Sequence, residues 1–264
     1  MSDLPRLLEI AEGAVAVAAD LVESREPGAL HSKGDRDMAS DTDIAVEQAV
    51  REHLAKVTPE IAFLGEEEGA FPGEGELSWV LDPIDGTVNY VHGVPLWGIS
   101  LGLVSGKRQL VGVLDFPMLG TRYLAADGLG ASRNGEPIKA SRTTVLSEAL
   151  VMAGDFAVDE QAVEKNRPRF ALIDLLVPRV QRIRMLGTAA LHMALVADGS
   201  LDAAIMFSNK PWDTSAGAVI AREAGAIVVD VDGSPHDLTS GATIALSPGI
   251  ADEILPLIQQ AVRT

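Results

Sequence analysis

Cysteine is absent from this chain of 264 residues, and basic side chains are few. Without cysteine there can be no disulfide, iron–sulfur cluster or thiolate zinc site, so a metal would need oxygen or histidine ligands. Lys and Arg number 21 against 38 Asp and Glu, a formal net charge of −17. This charge argues against binding to nucleic acid or anionic membranes, but not against an anionic substrate, because a bound cation can reverse the local charge.

Long apolar segments are also missing. The longest run without Asp, Glu, Lys or Arg, residues 86–106, contains glycines, a proline, an asparagine and a histidine, which makes a poor membrane span. The first residues, MSDLPRLLEI, lack a basic region followed by an apolar core, so no signal peptide is predicted. Hydrophobic residues make up 47% of the chain, enough for a large core. We therefore expect a folded protein in the cytoplasm.

Hydrophobic periodicity predicts a mixture of helices and strands, with a polar loop at residues 30–38. Helices are expected over residues 4–24, 43–57, 163–176, 188–197, 213–224 and 251–262. Strands are expected over residues 61–64, 77–81, 99–104, 110–116, 122–125, 150–153, 201–207, 226–229 and 243–246. This order predicts an α+β or mixed α/β fold of layered sheets and helices, in approximate halves 1–146 and 147–264.

The most specific motif is the sequence DPIDGT at residues 82–87. Asp82 is expected to end a strand, because the proline after it favours extended geometry at Asp82 and then a turn. Its carboxylate, that of the second aspartate and the Ile84 carbonyl oxygen would then converge where oxygen ligands suit Mg²⁺ or Mn²⁺ better than zinc. Gly86 would let the backbone approach a ligand, and a helical turn starting there would point the N–H groups of Gly86 and Thr87 at an anion.

Two further acidic segments accompany this motif. Glu66 belongs to the sequence GEEE at residues 65–68, directly after a predicted strand, where a carboxylate could project into a cleft. A solvent-exposed acidic turn is an equally good interpretation of that segment alone. Asp213 follows Lys-Pro-Trp at the start of a predicted helix, where simple N-capping is the alternative and is compatible with metal binding.

Together these motifs resemble the inositol monophosphatase superfamily of Mg²⁺-dependent, lithium-sensitive phosphatases. The resemblance rests on GEE at 65–67, WVLDPIDGTVNY at 79–90, and PWD at 211–213 followed by AG at 216–217. Lys33, Asp43 and GTAA at 187–190 support it, and these landmarks span essentially the whole chain. The resemblance implies a layered αβαβα sandwich, a single unit over residues 1–264 and a homodimer.

The resemblance also implies a set of metal ligands. Glu66, Asp82 and the Ile84 carbonyl would hold a first Mg²⁺. Asp82, Asp85 and Asp213 would hold a second, and Glu66 could share a third. Two or three ions are therefore implied, with Mn²⁺ as a substitute.

Catalytic and substrate contacts are implied as well. Asp43 and Thr87 would activate the attacking water, and Glu66 would act with them. The phosphate would bind the backbone of Gly86 and Thr87, and the GTA sequence from residue 187 would line the organic part of the substrate. The implied substrate contacts are Asp85, Gly86, Thr87, Gly187, Thr188, Ala189 and Asp213.

The predicted activity is hydrolysis of a small phosphate monoester, with inositol 1-phosphate as the leading substrate and no nucleic-acid or membrane partner. One position departs from the resemblance: relatives that act on inositol phosphates often carry Glu seven residues before the last aspartate, where this chain has Met206. Ser208, Asn209 and Lys210 are candidate replacements for that contact. Histidinol phosphate, fructose 1,6-bisphosphate and a nucleotide 3′-phosphate stay open as substrates. A non-catalytic regulator that binds Mg²⁺ or a phosphometabolite is the alternative from another class; a water-activating pair argues against it.

Overall fold

The computed structural model describes residues 3–34, 37–208 and 210–264. In these ranges the helices are α1 Leu4–Glu23, α2 Asp41–Val57, α3 Thr87–Val91, α4 Ala162–Leu176, α5 Ala189–Ala197, α6 Pro211–Glu223 and α7 Ala251–Ala261. The strands are β1 Leu30–Gly34, β2 Asp37–Ser40, β3 Ala62–Gly65, β4 Ala70–Phe71, β5 Leu77–Asp85, β6 Gly98–Ser105, β7 Arg108–Phe116, β8 Thr121–Ala126, β9 Gly130–Arg133, β10 Glu136–Pro137, β11 Leu150–Ala153, β12 Arg182–Arg184, β13 Ala203–Met206, β14 Ile227–Val229 and β15 Thr243–Leu246.

Two large sheets and three helix layers alternate through the molecule. The first sheet has strand order β10-β9-β8-β7-β6-β5-β3-β4, and the second has order β12-β11-β13-β15-β14. Helices α1 and α2 cover the outer face of the first sheet, α5 and α6 lie between the sheets, and α4 and α7 cover the outer face of the second. The predicted αβαβα sandwich is confirmed. No helix in the described ranges is long and apolar enough to cross a membrane.

The side-chain alternation of the second sheet explains why helices cover both of its faces. In β13, Ala204 and Met206 pack with α5 and α6, whereas Ala203 and Ile205 pack with α4 and α7. Successive side chains of a strand point to opposite faces, so a segment that is apolar at every position is buried on both sides. The apolar runs of β13 and β15 therefore specify an inner sheet.

The longer helices and strands lie where the sequence predicts them, with ends that shift by one or two residues, but two expectations were wrong. The described part of the predicted loop, residues 30–34 and 37–38, is extended instead: β1 and β2 form an antiparallel pair, and no apolar pattern marks it because all five residues of β1 are exposed. The second error concerns β5, which does not end at Asp82 but continues to Asp85. Its pairing with β6 is irregular between those two residues, which removes Pro83 from the regular ladder of hydrogen bonds.

A buried polar network around His236 joins the two sheets. The His236 ring nitrogens lie 3.3 Å from Gln109 Nε2 on β7 and 2.9 Å from Thr243 Oγ1 on β15. Arg222 of α6 donates to Gln109 Oε1 at 2.8 Å and to the His236 carbonyl oxygen at 3.2 Å. Because Arg222 holds the amide oxygen of Gln109, the amide nitrogen must donate to Nδ1, which therefore carries no proton.

This network holds His236 in its neutral form. Burial, followed by the positive charge of Arg222, lowers the pKa of His236 to about 4, although the charges of Asp230 and Asp237 act in the opposite direction. A histidine in the unfolded chain has a pKa of about 6.5. The unfolded state therefore takes up a proton at a higher pH than the folded state does.

We expect this difference to make the fold sensitive to acid. The contribution of His236 to the free energy of unfolding is complete above pH 6.5 and is lost as the pH falls toward 4, by about 1–2 kcal/mol at pH 5. Denaturant titrations at pH 7 and pH 5 should show a smaller loss of stability for His236→Gln than for the wild type. The exposed His92, replaced in the same way, is the control and should keep the wild-type loss. Equal losses in the wild type and His236→Gln would contradict this account.

Candidate active site

Asp82 lies at the centre of a group of carboxylates that come from four different elements. It is buried in β5, with 2% of its surface exposed. Burial, and then the negative charges of Glu66, Asp85, Asp213 and Asp43, raise the pKa of its carboxyl group. Charged groups are poorly solvated in a protein interior and like charges repel, so this arrangement is costly unless protons or cations compensate it. The fold thus brings the predicted carboxylates into one cleft.

The cleft is not arranged as a ready-made metal site. In residues 3–34, 37–208 and 210–264, no three His, Asp or Glu side chains are placed to hold a metal ion as they stand. Instead, Lys33 Nζ donates to Glu66 Oε1 at 2.7 Å and to Glu67 Oε1 at 2.9 Å. Burial opposes the charge on Lys33, but the two glutamates outweigh it and raise the Lys33 pKa. An ammonium group therefore balances part of the negative charge.

Glu67 is the more deeply buried of the two carboxylates that Lys33 contacts, with 6% of its side chain exposed against 14% for Glu66. Burial raises the pKa of Glu67 to about 7, against the hydrogen bond and charge of Lys33. The negative charge of Glu66, by contrast, helps to raise the pKa values of Asp82, Asp85 and Asp213. Of the GEEE segment, Glu66 is therefore the residue that faces the carboxylate cleft.

Asp85 connects the end of β5 to the start of α5. Its carboxylate accepts hydrogen bonds from the Thr188 hydroxyl, from the Ala190 N–H at 2.7 Å and from the Ala189 N–H at 3.3 Å. Thr188 in turn caps α5 by accepting from the Leu191 N–H. Burial raises the pKa of Asp85 in spite of these bonds. Asp85 thus has a structural role that its place in the DPIDGT motif did not indicate.

Asp43 and Thr87, the predicted water-activating pair, are in contact. The Thr87 hydroxyl lies 3.2 Å from Asp43 Oδ1 and 3.1 Å from the Ile84 carbonyl oxygen. The other carboxylate oxygen, Oδ2, accepts from both the N–H and the hydroxyl of Ser40, which caps α2. Burial raises the pKa of Asp43 against these hydrogen bonds. The cap fixes the carboxylate so that Oδ1 faces Thr87.

Gly86 occupies a position that disfavours any side chain. Its φ is +93°, and a Cβ atom would lie 3.2 Å from the carbonyl oxygens of Leu96 and Gly187. Asn89 of α3 tightens the same contact, since its Nδ2 donates to the carbonyl oxygens of Leu96 and Leu186 at 2.7 Å. Gly86 therefore lets α3 pack against the segment that precedes α5, and α3 starts directly after it as expected.

A cavity of about 190 Å³ opens beside Asp85 and Asp213. The predicted substrate contacts Gly187, Thr188 and Ala189 line it, and so does Ser208. The cavity is also lined by Gly154, Asp155, His192, Met206, Phe207 and Thr214. Gly86 and Thr87 are not among its described lining residues.

The other two candidates to replace the missing polar contact at Met206, Asn209 and Lys210, are not among the described lining residues of this cavity. Lys210 precedes α6, and its Nζ lies 5.6 Å from the centre of the Trp212 ring. Asn209 lies outside the described residues. A larger, open groove of about 620 Å³ between α1 and β8 includes Glu12, Asp20 and Arg122, and contains no predicted site residue.

Comparison with known proteins agrees with this arrangement. The sequence profile of the inositol monophosphatase family matches residues 3–263. The chain belongs to the inositol monophosphatase family. Members of this family are phosphoric monoester hydrolases, so the predicted class of enzyme is confirmed.

Relatives in the inositol monophosphatase family cover nearly the full length of the chain. The inositol-1-monophosphatase of Mycobacterium bovis is 36% identical over 279 aligned positions, covering 97% of this chain and 94% of that protein. The fructose-1,6-bisphosphatase/inositol-1-monophosphatase of Aquifex aeolicus is 32% identical and covers 98% of both chains. A solved inositol monophosphatase structure from Anabaena (Nostoc) has a TM-score of 0.86 and 32% identity, covering 98% of this chain and 97% of that one.

Glu47 of α2 is a residue of this inositol monophosphatase cleft that sequence reasoning missed. It is fully buried, and its carboxylate accepts from the backbone N–H groups of Glu67 at 2.9 Å and Glu68 at 2.7 Å. It fills the space beside Gly65, where a Cβ atom would lie 2.2 Å from the carboxylate. Glu47 therefore fixes the turn that carries Glu66. Its position one helical turn after Asp43 was the signal that could have found it.

We expect Glu47→Gln to destabilise the folded protein by about 1–3 kcal/mol, because an amide offers one oxygen where the two N–H groups need a carboxylate. It should also weaken the stabilisation by Mg²⁺, since the turn that carries Glu66 loses a contact. Thermal unfolding with and without Mg²⁺ measures both effects. Glu52→Gln, an exposed substitution on the same helix, is the control and should stay within about 0.5 kcal/mol of the wild type.

Proposed function

We propose that this chain is a divalent-cation-dependent phosphomonoesterase that hydrolyses inositol 1-phosphate to inositol and phosphate. The observation that carries the proposal is the burial of Asp82 among like charges, beside a cavity that can take the organic part of a phosphate ester. The names of relatives from Mycobacterium bovis and Anabaena support the substrate, since both are described as inositol monophosphatases.

The donor atoms of the cleft fit divalent cations. They are oxygens, and the pKa values of Asp82 and Asp213 are raised by burial and by neighbouring negative charge, so a cation would remove an existing repulsion. Oxygen-rich, anionic ligand sets select Mg²⁺ or Mn²⁺. We propose two or three such ions, held by Glu66, Asp82, the Ile84 carbonyl oxygen, Asp85 and Asp213. When bound, the cations would supply Lewis acidity toward the phosphate oxygens and toward water.

The residues of the chain would position the substrate and move one proton. We propose that the N–H groups of Gly86 and Thr87 bind phosphate oxygens. The Thr87 hydroxyl would orient the attacking water, and its contact with Asp43 Oδ1 at 3.2 Å would pass the proton of that water to the carboxylate. As the water oxygen bonds to phosphorus, the bond from phosphorus to the ester oxygen would break, and that oxygen would take a proton from solvent to leave as a hydroxyl. The raised pKa of Asp43 makes it a better proton acceptor than an exposed aspartate. Thr188 and Ala189 would contact the leaving group in the cavity.

Residues from both halves of the sequence form the cleft, with Asp43, Glu66, Asp82 and Asp85 before residue 146 and Asp213 after it. We therefore propose that residues 1–264 act as one unit. A cytoplasmic location, a homodimer and lithium sensitivity stay predictions.

Fructose 1,6-bisphosphate is the second candidate substrate. The name of the relative from Aquifex aeolicus, a fructose-1,6-bisphosphatase/inositol-1-monophosphatase, favours it. The chemistry at the phosphate would be the same for both substrates. The contact between Asp43 and Thr87 argues against a non-catalytic binding protein, because binding alone does not require a group that accepts a proton from water.

The test is release of inorganic phosphate from four compounds in the presence of Mg²⁺, with EDTA as the control. The compounds are inositol 1-phosphate, fructose 1,6-bisphosphate, histidinol phosphate and adenosine 3′,5′-bisphosphate. The proposal predicts the highest kcat/KM for inositol 1-phosphate and no release in EDTA. A higher kcat/KM for another compound would replace the substrate and keep the chemistry. No release from any of the four would contradict the proposed activity.

A further inference from the structure

His192 is a buried side chain in α5 whose polar atoms have no partner. Only 2% of the residue is exposed, and neither Nδ1 nor Nε2 has a hydrogen-bond partner among the described residues. The other buried histidine, His236, has both ring nitrogens in contact with side chains. Buried polar atoms are hydrogen-bonded in most proteins, so an unpartnered imidazole calls for an explanation in terms of a ligand or water.

The position of His192 supplies that explanation. His192 lines the 190 Å³ cavity, one helical turn after Thr188, and Asp213 and Met206 line the same cavity. Met206 is 4% exposed, and its thioether is only a weak hydrogen-bond acceptor. His192 is therefore the neutral side chain of this cavity that combines deep burial with unused hydrogen-bonding capacity.

The chemistry of an uncharged imidazole matches a hydroxyl group. Burial lowers the pKa of His192 to about 4, so the ring is neutral at pH 7 and offers one N–H donor and one nitrogen acceptor. A hydroxyl group can both donate and accept, so one or two hydroxyls of a ligand can satisfy both nitrogens. An apolar leaving group would leave both nitrogens unsatisfied.

The charge of the cavity also restricts which leaving groups can bind there. Its described lining contains Asp85, Asp155 and Asp213 but no Lys or Arg. Burial raises the pKa of the Asp155 carboxyl group. Asp155 is not among the proposed metal ligands, so a second phosphate or another anion on the leaving group would face its carboxylate without a compensating cation. An uncharged leaving group with hydroxyls avoids this repulsion.

We propose that His192 is a specificity-determining residue that hydrogen-bonds hydroxyl groups of an uncharged, polyhydroxylated leaving group, on the side of the cavity where Met206 offers no such bond. This inference rests on the proposed phosphomonoesterase function. It names a residue that contacts the leaving group, and it names the class of leaving group that this residue favours.

The experiment compares two monophosphates in the presence of Mg²⁺. The leaving group of inositol 1-phosphate carries free hydroxyl groups. The leaving group of phenyl phosphate has no oxygen other than the ester oxygen. In His192→Phe, which keeps a planar ring but removes both nitrogens, KM for inositol 1-phosphate should rise about 10-fold with kcat little changed. The kcat/KM for phenyl phosphate should stay within about 2-fold. Free inositol should also inhibit the variant about 10-fold more weakly than the wild type.

Two further variants control for structural effects. His192→Leu also removes both ring nitrogens but has a smaller side chain. It should show the same rise in KM for inositol 1-phosphate alone, and it provides the test if His192→Phe does not fold. Met193→Leu changes the next buried residue of α5, which packs against Gly217 of α6, and should leave both substrates within about 2-fold of the wild type. Thermal unfolding of each variant shows that it is folded.

The outcomes separate this inference from the proposed function. An equal loss on both substrates, or no loss on inositol 1-phosphate, would overturn the role of His192 while the phosphatase function stands. Hydrolysis of phenyl phosphate but not of inositol 1-phosphate by the wild type would also overturn it. Failure of the wild type to release phosphate from phenyl phosphate or from any of the four compounds named above would overturn the proposed function itself.

Discussion

Asp82→Asn is expected to lower kcat for phosphate release by about 10³-fold or more and, at the same time, to raise the melting temperature of the metal-free protein. The charge of Asp82 is buried among four other carboxylates, so the metal-free protein gains stability when it is removed. We expect a rise of about 2–6 °C, corresponding to about 1–2 kcal/mol in a chain of this size. Mg²⁺ should no longer stabilise the variant.

The stabilisation by Asp82→Asn should increase as the pH rises. A carboxyl group with a raised pKa in the folded state contributes stability below its unfolded pKa and loses it as the pH rises. The melting temperatures of wild type and variant should therefore differ most above neutral pH and converge near pH 4. Asp202→Asn is the control, because Asp202 is also buried, with 6% of the residue exposed, but accepts from the Leu150 N–H outside the cleft. Asp202→Asn should lose stability and keep kcat within about 2-fold of the wild type. A lower melting temperature for metal-free Asp82→Asn, or a kcat near that of the wild type, would contradict the account.

Asp43→Asn is expected to lower kcat by about 10²–10⁴-fold, the range found for loss of a general acid–base group. The amide can still accept one hydrogen bond from Ser40 or Thr87, so the fold should persist. Asp43 is not a proposed metal ligand, so stabilisation by Mg²⁺ should remain. Steady-state kinetics and thermal unfolding on the same preparation measure both properties.

Thr87 offers a matched pair of variants for the same step. Thr87→Ser keeps the hydroxyl that faces Asp43 Oδ1 and should retain most of the wild-type kcat, whereas Thr87→Val removes it and should approach the kcat of Asp43→Asn. An Asp43→Asn protein with near wild-type turnover would contradict the proposed proton transfer. Loss of the response to Mg²⁺ in that variant would show that Asp43 acts on the metal site instead.

The fold could be predicted from the sequence where apolar patterns are long. The runs of β6 and β7, and those of β13 and β15, are apolar on both faces and therefore predict covered sheets. The β1–β2 pair could not be predicted in this way, because all five residues of β1 are exposed and show no apolar pattern. The short strands β4, β9, β10 and β12 were missed for a similar reason, since their residues are mostly exposed and form no apolar run.

The candidate site could be predicted where chemistry lies in contiguous motifs. Asp82, Asp85 and Asp213 were found from their motifs, and their convergence follows from the fold. The remaining contacts join residues far apart in sequence: Glu47 to the turn at residue 67, Asn89 to Leu186, and Asp85 to Ala190. A single sequence carries no signal for the partner in such a pair: the spacing of Glu47 from Asp43 could have indicated Glu47 itself, but not the turn that it contacts.

The central claim is that the carboxylate cleft binds divalent cations, and thermal unfolding of the wild-type protein tests it without assuming a substrate. Melting is compared in EDTA and in millimolar Mg²⁺ at pH 7.5. NaCl of equal ionic strength is the control, since screening alone can stabilise a chain with a net charge of −17. The account predicts a higher melting temperature in Mg²⁺ than in NaCl, with about 2.7 kcal/mol of stabilisation at 100 times the dissociation constant. Identical melting in Mg²⁺ and NaCl would contradict it.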